Sequence, residues 1–288
     1  MNKSLNSRLR QELHVGAGLI VPGVANALAA RIAEQAGHRV VMVSGAAIAN
    51  SYLGMPDIGL VSVSELVDHV AAVREAVGIP IFADADTGFG NALNVRRTIR
   101  QLESAGANGI MIEDQTSPKR CGHFDGKSVV PTAEMVGKIK AAVDARQDDD
   151  LFVLARTDAR AVEGFEAAIE RAAAYRDAGA DGLFIEAPLT CEELLSIPRM
   201  CPGVHFCNMV VGGKTPLLPR DELATSGFAA IGYANAGLQA AMLAMQKMMR
   251  HLHENGSIEG AENQVLMFQE RQAALDTARY RELEMRYA

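Results

Sequence analysis

Ile110-Met111-Ile112-Glu113-Asp114 is the stretch from which the fold of this chain can be read. A short apolar run that ends in two acids reads as a buried strand of a parallel sheet, its carboxylates emerging at the C-terminal end. The connection that follows, from Asp114 to Val130, is long for a strand-to-helix loop, and such length points to function. Within it lies Lys119-Arg120-Cys121-Gly122-His123, a cationic stretch around one thiol. Positive neighbours at Lys119, Arg120 and His123 favour a thiolate and an anion. Gly122 gives the backbone freedom to present the thiol or to act as a hinge. An incidental cysteine in a surface loop would look the same. The acids upstream and the glycine beside it favour a functional loop.

Working outward, the same strand-turn-helix pattern recurs along the chain. Strands are predicted at Leu19–Gly23, Val40–Val43, Ile79–Ala83, Gly109–Glu113, Leu151–Ala155, Gly182–Ile185, Val204–Cys207 and Ala229–Tyr233. Helical periodicity follows all of them but the seventh, over 26–36, 62–77, 92–105, 132–145, 165–178, 190–199 and 236–253, and a glycine-rich loop follows the seventh. Residues 1–13 read as a polar helix, a packing arm. Eight βα units in roughly 250 residues close a parallel (β/α)8 barrel of TIM type. The expected division is a catalytic barrel over 1–258 and a helical arm over 259–288. The arm lies beyond what a barrel needs and reads as a cap, or as helices exchanged with a partner subunit.

Composition excludes several classes. With 49% apolar residues among 288, the chain can bury a full core. A net charge of −7 and no long basic run argue against a nucleic-acid partner. No run approaches the ~20 apolar residues of a membrane span. The first dozen residues are polar and carry no signal-like apolar stretch. Four cysteines without paired spacing fit a reducing cytoplasm.

A barrel of this kind carries its site at the C-terminal ends of the strands. Polar residues stand there strand after strand: Ser44, Asp84, Asp86, Glu113, Arg156, Glu186 and Asn208, with Asp57 and Cys121 in loops on the same side. Helix capping explains any one aspartate and explains the set poorly. Asp84, Asp86 and Glu113 are hard oxygen ligands suited to Mg²⁺, or Mn²⁺, with waters completing an octahedron. The small-residue turn Ser44-Gly45-Ala46-Ala47 exposes amides in the manner of a carboxylate cradle. Arg156 suits a bidentate grip on a substrate carboxylate, or an ion pair with Glu186 or Asp158, or both.

Over nearly its whole length the chain resembles the isocitrate lyase/phosphoenolpyruvate mutase superfamily. The resemblance rests on Ser44-Gly45, Gly54-Met55-Pro56-Asp57-Ile58-Gly59, Asp84-Ala85-Asp86-Thr87-Gly88-Phe89-Gly90, Ile112-Glu113-Asp114-Gln115, Lys119–His123, Ala155-Arg156-Thr157-Asp158-Ala159 and Asn208-Met209, in that order. The Lys-Arg-Cys-Gly-His loop is similar to that of the carbon–carbon lyase branch, and carboxyphosphonoenolpyruvate mutases keep it too.

The resemblance implies a homotetrameric lyase acting on a small 2-hydroxy di- or tricarboxylate. A divalent metal near Asp84, Asp86 and Glu113 would hold the 2-oxo acid half, and Ser44, Gly45 and Ala46 would bind its carboxylate. Cys121 would protonate the leaving carbanion, under a loop, 116–128, that closes against water. Lys119, Arg156, Asp57 and Gly122 would complete the site, with Glu186, Asn208 and His123 positioning the second carboxylate and the thiol. Three departures from the family pattern bear on the substrate. Gln239 stands where methylisocitrate lyases carry an arginine for a third carboxylate, Met42 where a tyrosine is usual, and Ala234 where a proline is usual. Asn208-Met209 followed by Gly212-Gly213-Lys214-Thr215-Pro216 is closer to dimethylmalate lyases. The expectation is a substituted malate cleaved to pyruvate or another 2-oxo acid. The alternatives are methylisocitrate cleavage, oxaloacetate decarboxylation or hydrolysis, and a non-catalytic carboxylate-binding protein.

Overall fold

The computed structural model describes residues 4–288. Eight parallel strands close into a barrel in sequence order, the first pairing with the last. They are β1 (Leu19–Val24), β2 (Val41–Val43), β3 (Ile81–Asp84), β4 (Gly109–Glu113), β5 (Phe152–Thr157), β6 (Gly182–Ile185), β7 (His205–Asn208) and β8 (Phe228–Tyr233). All eight expected strands are present, each within two residues of the predicted position. Helices α1 (Leu5–Glu12), α2 (Ala27–Gln35), α3 (Gly45–Ile48), α4 (Val63–Ala76), α5 (Ala92–Ser104) and α6 (Thr132–Ala145) accompany the first five strands. Then come α7 (Phe165–Asp177), α8 (Cys191–Met200), α9 (Arg220–Ser226), α10 (Ala236–Asn255), α11 (Phe268–Ala274) and α12 (Thr277–Tyr287). The four cysteines are free, and no helix among the described residues is long and apolar enough to cross a membrane.

Strand alternation sorts every side chain to one of two cores. Met42, Phe82, Met111, Phe152, Leu154, Phe184, Phe206 and Ala230 point into the barrel. Their neighbours Val41, Val43, Ala83, Ile110, Ile112, Val153, Ala155 and Cys207 point out, into the layer beneath the helices. Inside, Phe82 meets Phe152 and Phe206 edge-on, with ring centroids 5.8 and 5.2 Å apart. The same alternation carries one step further to set the mouth. Ser44, Asp84, Glu113, Arg156, Glu186 and Asn208 each follow an inward residue by two, so each falls on the inner side of the barrel's C-terminal rim.

Helix α1 completes the interior from the opposite end. Its Ser4 side chain caps it by accepting from Ser7 N. Leu9 and Leu13 belong to the same apolar cluster as the barrel-lining phenylalanines. Arg10 fixes the helix by donating to the carbonyls of Asp149, Asp150 and Leu151 and to Asp181. The predicted packing arm is therefore a plug, and its apolar face is short enough to hide in a mostly polar sequence.

The chain forms two compact units, one ending at Ala236 and the other spanning Gly237–Ala288. The second holds nearly all of α10, with α11 and α12. None of the residues of these three helices is buried.

Candidate active site

The acidic side of the site is built on β3 and β4. Asp84 ends β3; its Oδ2 accepts from Gly45 N at 3.2 Å and its Oδ1 from Asp86 N at 3.3 Å. Asp86 stands in the left-handed region, with φ 47°, as does Phe89 at 60°. Such backbone is uncommon outside glycine and is tolerated by aspartate, and here it folds the strand end back on itself. Glu113 N donates to Asp86 O at 2.8 Å, locking the two strand ends together. Gly45 must be small: a Cβ there would stand 3.1 Å from Asp86 Oδ1.

Lys119 turns inward. Its ammonium lies 2.5 Å from Asp57 Oδ1 and 2.9 Å from Asp86 Oδ1. Burial pushes the Asp86 carboxyl up to about 7, against the pull of Lys119. Burial also holds Glu113 well above the usual carboxylate range, opposed by Arg156. Around the mouth, six buried carboxylates (Asp57, Asp84, Asp86, Glu113, Asp158, Glu186) face three buried cations (Lys119, Lys127, Arg156). That excess of acidic groups suits a further cation, whose charge would oppose the burial that holds Asp86 and Glu113 up.

The metal expectation can be tested on the acids themselves. Among the described residues no three acids, histidines or cysteines converge as ready ligands around one point. Buried Asp86 Oδ1 and Glu113 Oε1, however, have no hydrogen-bond partner. Asp86 Oδ1 is near Lys119 yet outside bonding geometry. Mg²⁺ keeps several of its waters and needs only one or two carboxylates, so two orphaned oxygens in a carboxylate-rich mouth fit such an ion. Asp84, whose oxygens already accept two backbone amides, is the less free of the three predicted ligands.

The cationic side is built on β5 and β6. Arg156 Nε and Nη2 donate to Asp158 at 3.0 and 3.2 Å. The guanidinium also lies 3.2 Å from Glu113 and 3.4 Å from Glu186, over the ring of Phe184. Both ion pairs foreseen for it therefore exist. Both oxygens of buried Glu186 lack hydrogen-bond partners, and the next residue, Ala187, has φ 56°. His123 Nδ1 accepts from Lys214 N at 3.0 Å, which leaves the proton of a neutral ring on Nε2, 3.3 Å from Glu186 Oε1. Burial lowers the His123 pKa, and Glu186 opposes this. Asn208 Oδ1 accepts from Ala234 N.

The loop joins these two sides. Its base is a short antiparallel contact, Gln115 with Val129, with Thr116 N donating to Ser128 O. Gln115 holds Arg120 at both its N–H and its carbonyl. Cys121 N donates to Asp57 O at 3.1 Å. Two expectations are corrected here. The loop's cations do not make Cys121 a thiolate: burial raises its pKa, Asp57 and Glu186 add to the rise, and Lys119 is spent on Asp57 and Asp86. Gly122 is not in left-handed backbone, so its torsion here does not itself call for glycine. A Cβ at Gly122 would lie 2.5 Å from Arg156 Nη2 and 2.5 Å from Glu186 Cγ. It is a glycine because the loop lies directly on the strand ends.

Ser44 caps α3 by accepting from Ala47 N, and Gly45 gives its amide to Asp84. Of the cradle, the Ser44 hydroxyl hydrogen and the first-turn backbone at Ala46 remain to face a ligand. Met42 lies inside the barrel and offers no base.

Two further residues support this site, and the first corrects the expectation that both acids at the end of β4 emerge together. Asp114, adjacent to Glu113, points outward: it accepts from Thr157 Oγ1, Asp158 N and Tyr175 OH at 2.7, 2.9 and 2.8 Å. Alternation alone separates it from Glu113 and could have shown this. Lys127 is buried against Asp158, and no sequence signal marks it.

The family model for phosphoenolpyruvate phosphomutase matches residues 9–253. A 2,3-dimethylmalate lyase from Eubacterium barkeri is 41% identical over 282 residues, covering 98% of each chain. A 2-methylisocitrate lyase from Shewanella oneidensis is 40% identical over 263 residues, 90% of each chain. A solved phosphonopyruvate hydrolase in complex with oxalate and Mg²⁺ superposes with TM-score 0.89 at 33% identity, covering 99% of each chain.

Proposed function

The chain belongs to the phosphoenolpyruvate phosphomutase family, and from that premise we propose that it is a carbon–carbon lyase cleaving a substituted malate to pyruvate, or another 2-oxo acid, and a short monocarboxylate. The observation that carries the reading is Cys121: a half-buried thiol at the mouth whose pKa burial raises, on a loop whose Gly122 packs against Arg156 and Glu186. A group held in its acid form is what the step needs. The substrate hydroxyl gives its proton to one of the carboxylates of the mouth and becomes the carbonyl of the 2-oxo acid. The electron pair of the breaking C–C bond goes to the carbon beside the second carboxylate. Cys121 gives that carbon its proton, and the thiolate left behind is reprotonated from solvent.

Asp86 and Glu113, with Asp84 beside them, would hold a divalent cation, Mg²⁺ or Mn²⁺. When bound, it would polarise the 2-oxo acid half and offset the charge that develops there. Ser44 and Ala46, on either side of Gly45 whose amide is held by Asp84, would line the place for that half's carboxylate. Arg156 supplies fixed positive charge, held in place by Asp158, so it need not reorganise during the reaction. The loop excludes water that would otherwise quench the carbanion. In sequence, Gln239 stands where the resemblance expects the arginine that methylisocitrate lyases carry for a third carboxylate. This favours a malate over methylisocitrate.

The test is a panel of 2,3-dimethylmalate, methylmalates, methylisocitrate, isocitrate and oxaloacetate, assayed for 2-oxo acid release with Mg²⁺ and with EDTA. Release from a substituted malate, abolished by EDTA, is the expected result. Oxalate or pyruvate formed from oxaloacetate alone would mark a hydrolase or decarboxylase. A ligand-induced rise in Tm with no product would mark a binding protein.

A further inference from the structure

Lys127 is the last cation of the loop, in a polar stretch where lysine is ordinarily solvated. Here its side chain is only 1% exposed, with Nζ 2.7 Å from Asp158 Oδ1. The same ammonium donates to the carbonyl of Gly122, the residue beside Cys121. One atom therefore touches the loop next to the thiol and the carboxylate that holds Arg156. Asp158 is a fixed anchor for this contact. Its N–H is gripped by Asp114, and Asp114 is itself held by Thr157, Tyr175 and Arg171. Burial disfavours the charge on Asp158, yet Arg156 and then Lys127 outweigh it and keep its pKa below the usual range. Elsewhere Lys119 ties the loop to Asp57 and Asp86 on the acidic side, while the tie of Asp125 to Lys214 is exposed on the aspartate side and contributes little.

We propose that Lys127 is a positioning residue: it latches the loop 116–128 to the strand ends and, through Asp158, sets Arg156, so that thiol and guanidinium are assembled in one closure. The proposal deepens the lyase reading and rests on it for its kinetic consequence alone. The latch itself can be read without any substrate.

The test is alkylation of the full-length protein by iodoacetamide, followed at each cysteine by peptide mass spectrometry, with exposed Cys191 as the internal reference. In Lys127→Gln, Cys121 should label at least tenfold faster while Cys191 is unchanged. Asp125→Ala, which removes the exposed tie, should leave Cys121 within about twofold of wild type. On the best substrate, Lys127→Gln should lower kcat/KM by about 10²-fold, with KM raised as the closed state is depopulated. Lys127→Arg, which keeps the charge but moves it, should label at an intermediate rate. Wild-type labelling of Cys121 in folded Lys127→Gln would overturn the latch. Should that variant fail to fold, Lys127→Arg decides: faster labelling supports the latch, and wild-type labelling overturns it. Faster labelling in a protein with no activity on any hydroxy acid would keep the latch and remove the lyase reading.

Discussion

At Gly122 the loop backbone lies close enough to Arg156 and Glu186 that one methyl group cannot be fitted. Gly122→Ala should lift Cys121 away from the strand ends. Its kcat/KM should fall at least 10²-fold, the size of effect expected of a displacement near 1 Å, with the Tm little changed. The residue's identity was legible in the sequence and its reason was not, because glycine looks the same whether it supplies torsion or absence of bulk. Cys121 shows a similar limit. Charges adjacent in sequence suggested a thiolate, but Lys119 points at Asp57 and Asp86, and burial decides the thiol's state. A raised pKa makes the acid form persist as pH rises. The activity of the cleavage direction should therefore be lost only above the ~8.5 of an ordinary thiol, a limb seen in the pH profile of kcat and absent from Cys121→Ser. Lys127 left no trace in the sequence, since only the fold turns it inward.

Among the elements, the strands were the most legible. Each carries a short apolar run, and period-2 alternation then assigns Glu113 and Arg156 to the mouth and Asp114 and Thr157 to the helix layer. Helix α1 was legible as a helix but not as a plug, because only Leu9 within it and Leu13 just past its end reach the barrel and most of the rest is polar. Leu9 is wholly buried beneath the phenylalanines of the interior. Leu9→Ala should cost about 2–5 kcal/mol of stability through the cavity left behind, with kcat/KM unchanged below the melting transition because the mouth is at the other end. Chemical denaturation with parallel kinetics checks both halves.

At the scale of the molecule, the tail is the part a single chain does not explain. In the second unit Leu243, Met245, Met249, Leu266, Phe268 and Tyr280 are all exposed. Exposed apolar residues in such number are a mark of association rather than of a monomer's surface. We propose that these helices are exchanged between subunits of a homotetramer. Light scattering at micromolar concentration should give four times the 30.7 kDa chain mass. Deletion of 259–288 should yield smaller species, and a monomeric intact protein would contradict the exchange.

The central claim is a lyase in which Cys121 is the acid. Its most direct test is the kinetics of Cys121→Ser on the best substrate of the panel. Serine preserves size but holds its proton many pKa units more tightly than a thiol. Substrate affinity should survive, because Ser44, Arg156 and the acids are untouched, and kcat should fall by roughly two to four orders of magnitude. A kcat within about twofold of wild type, in protein of native fold, would contradict the account.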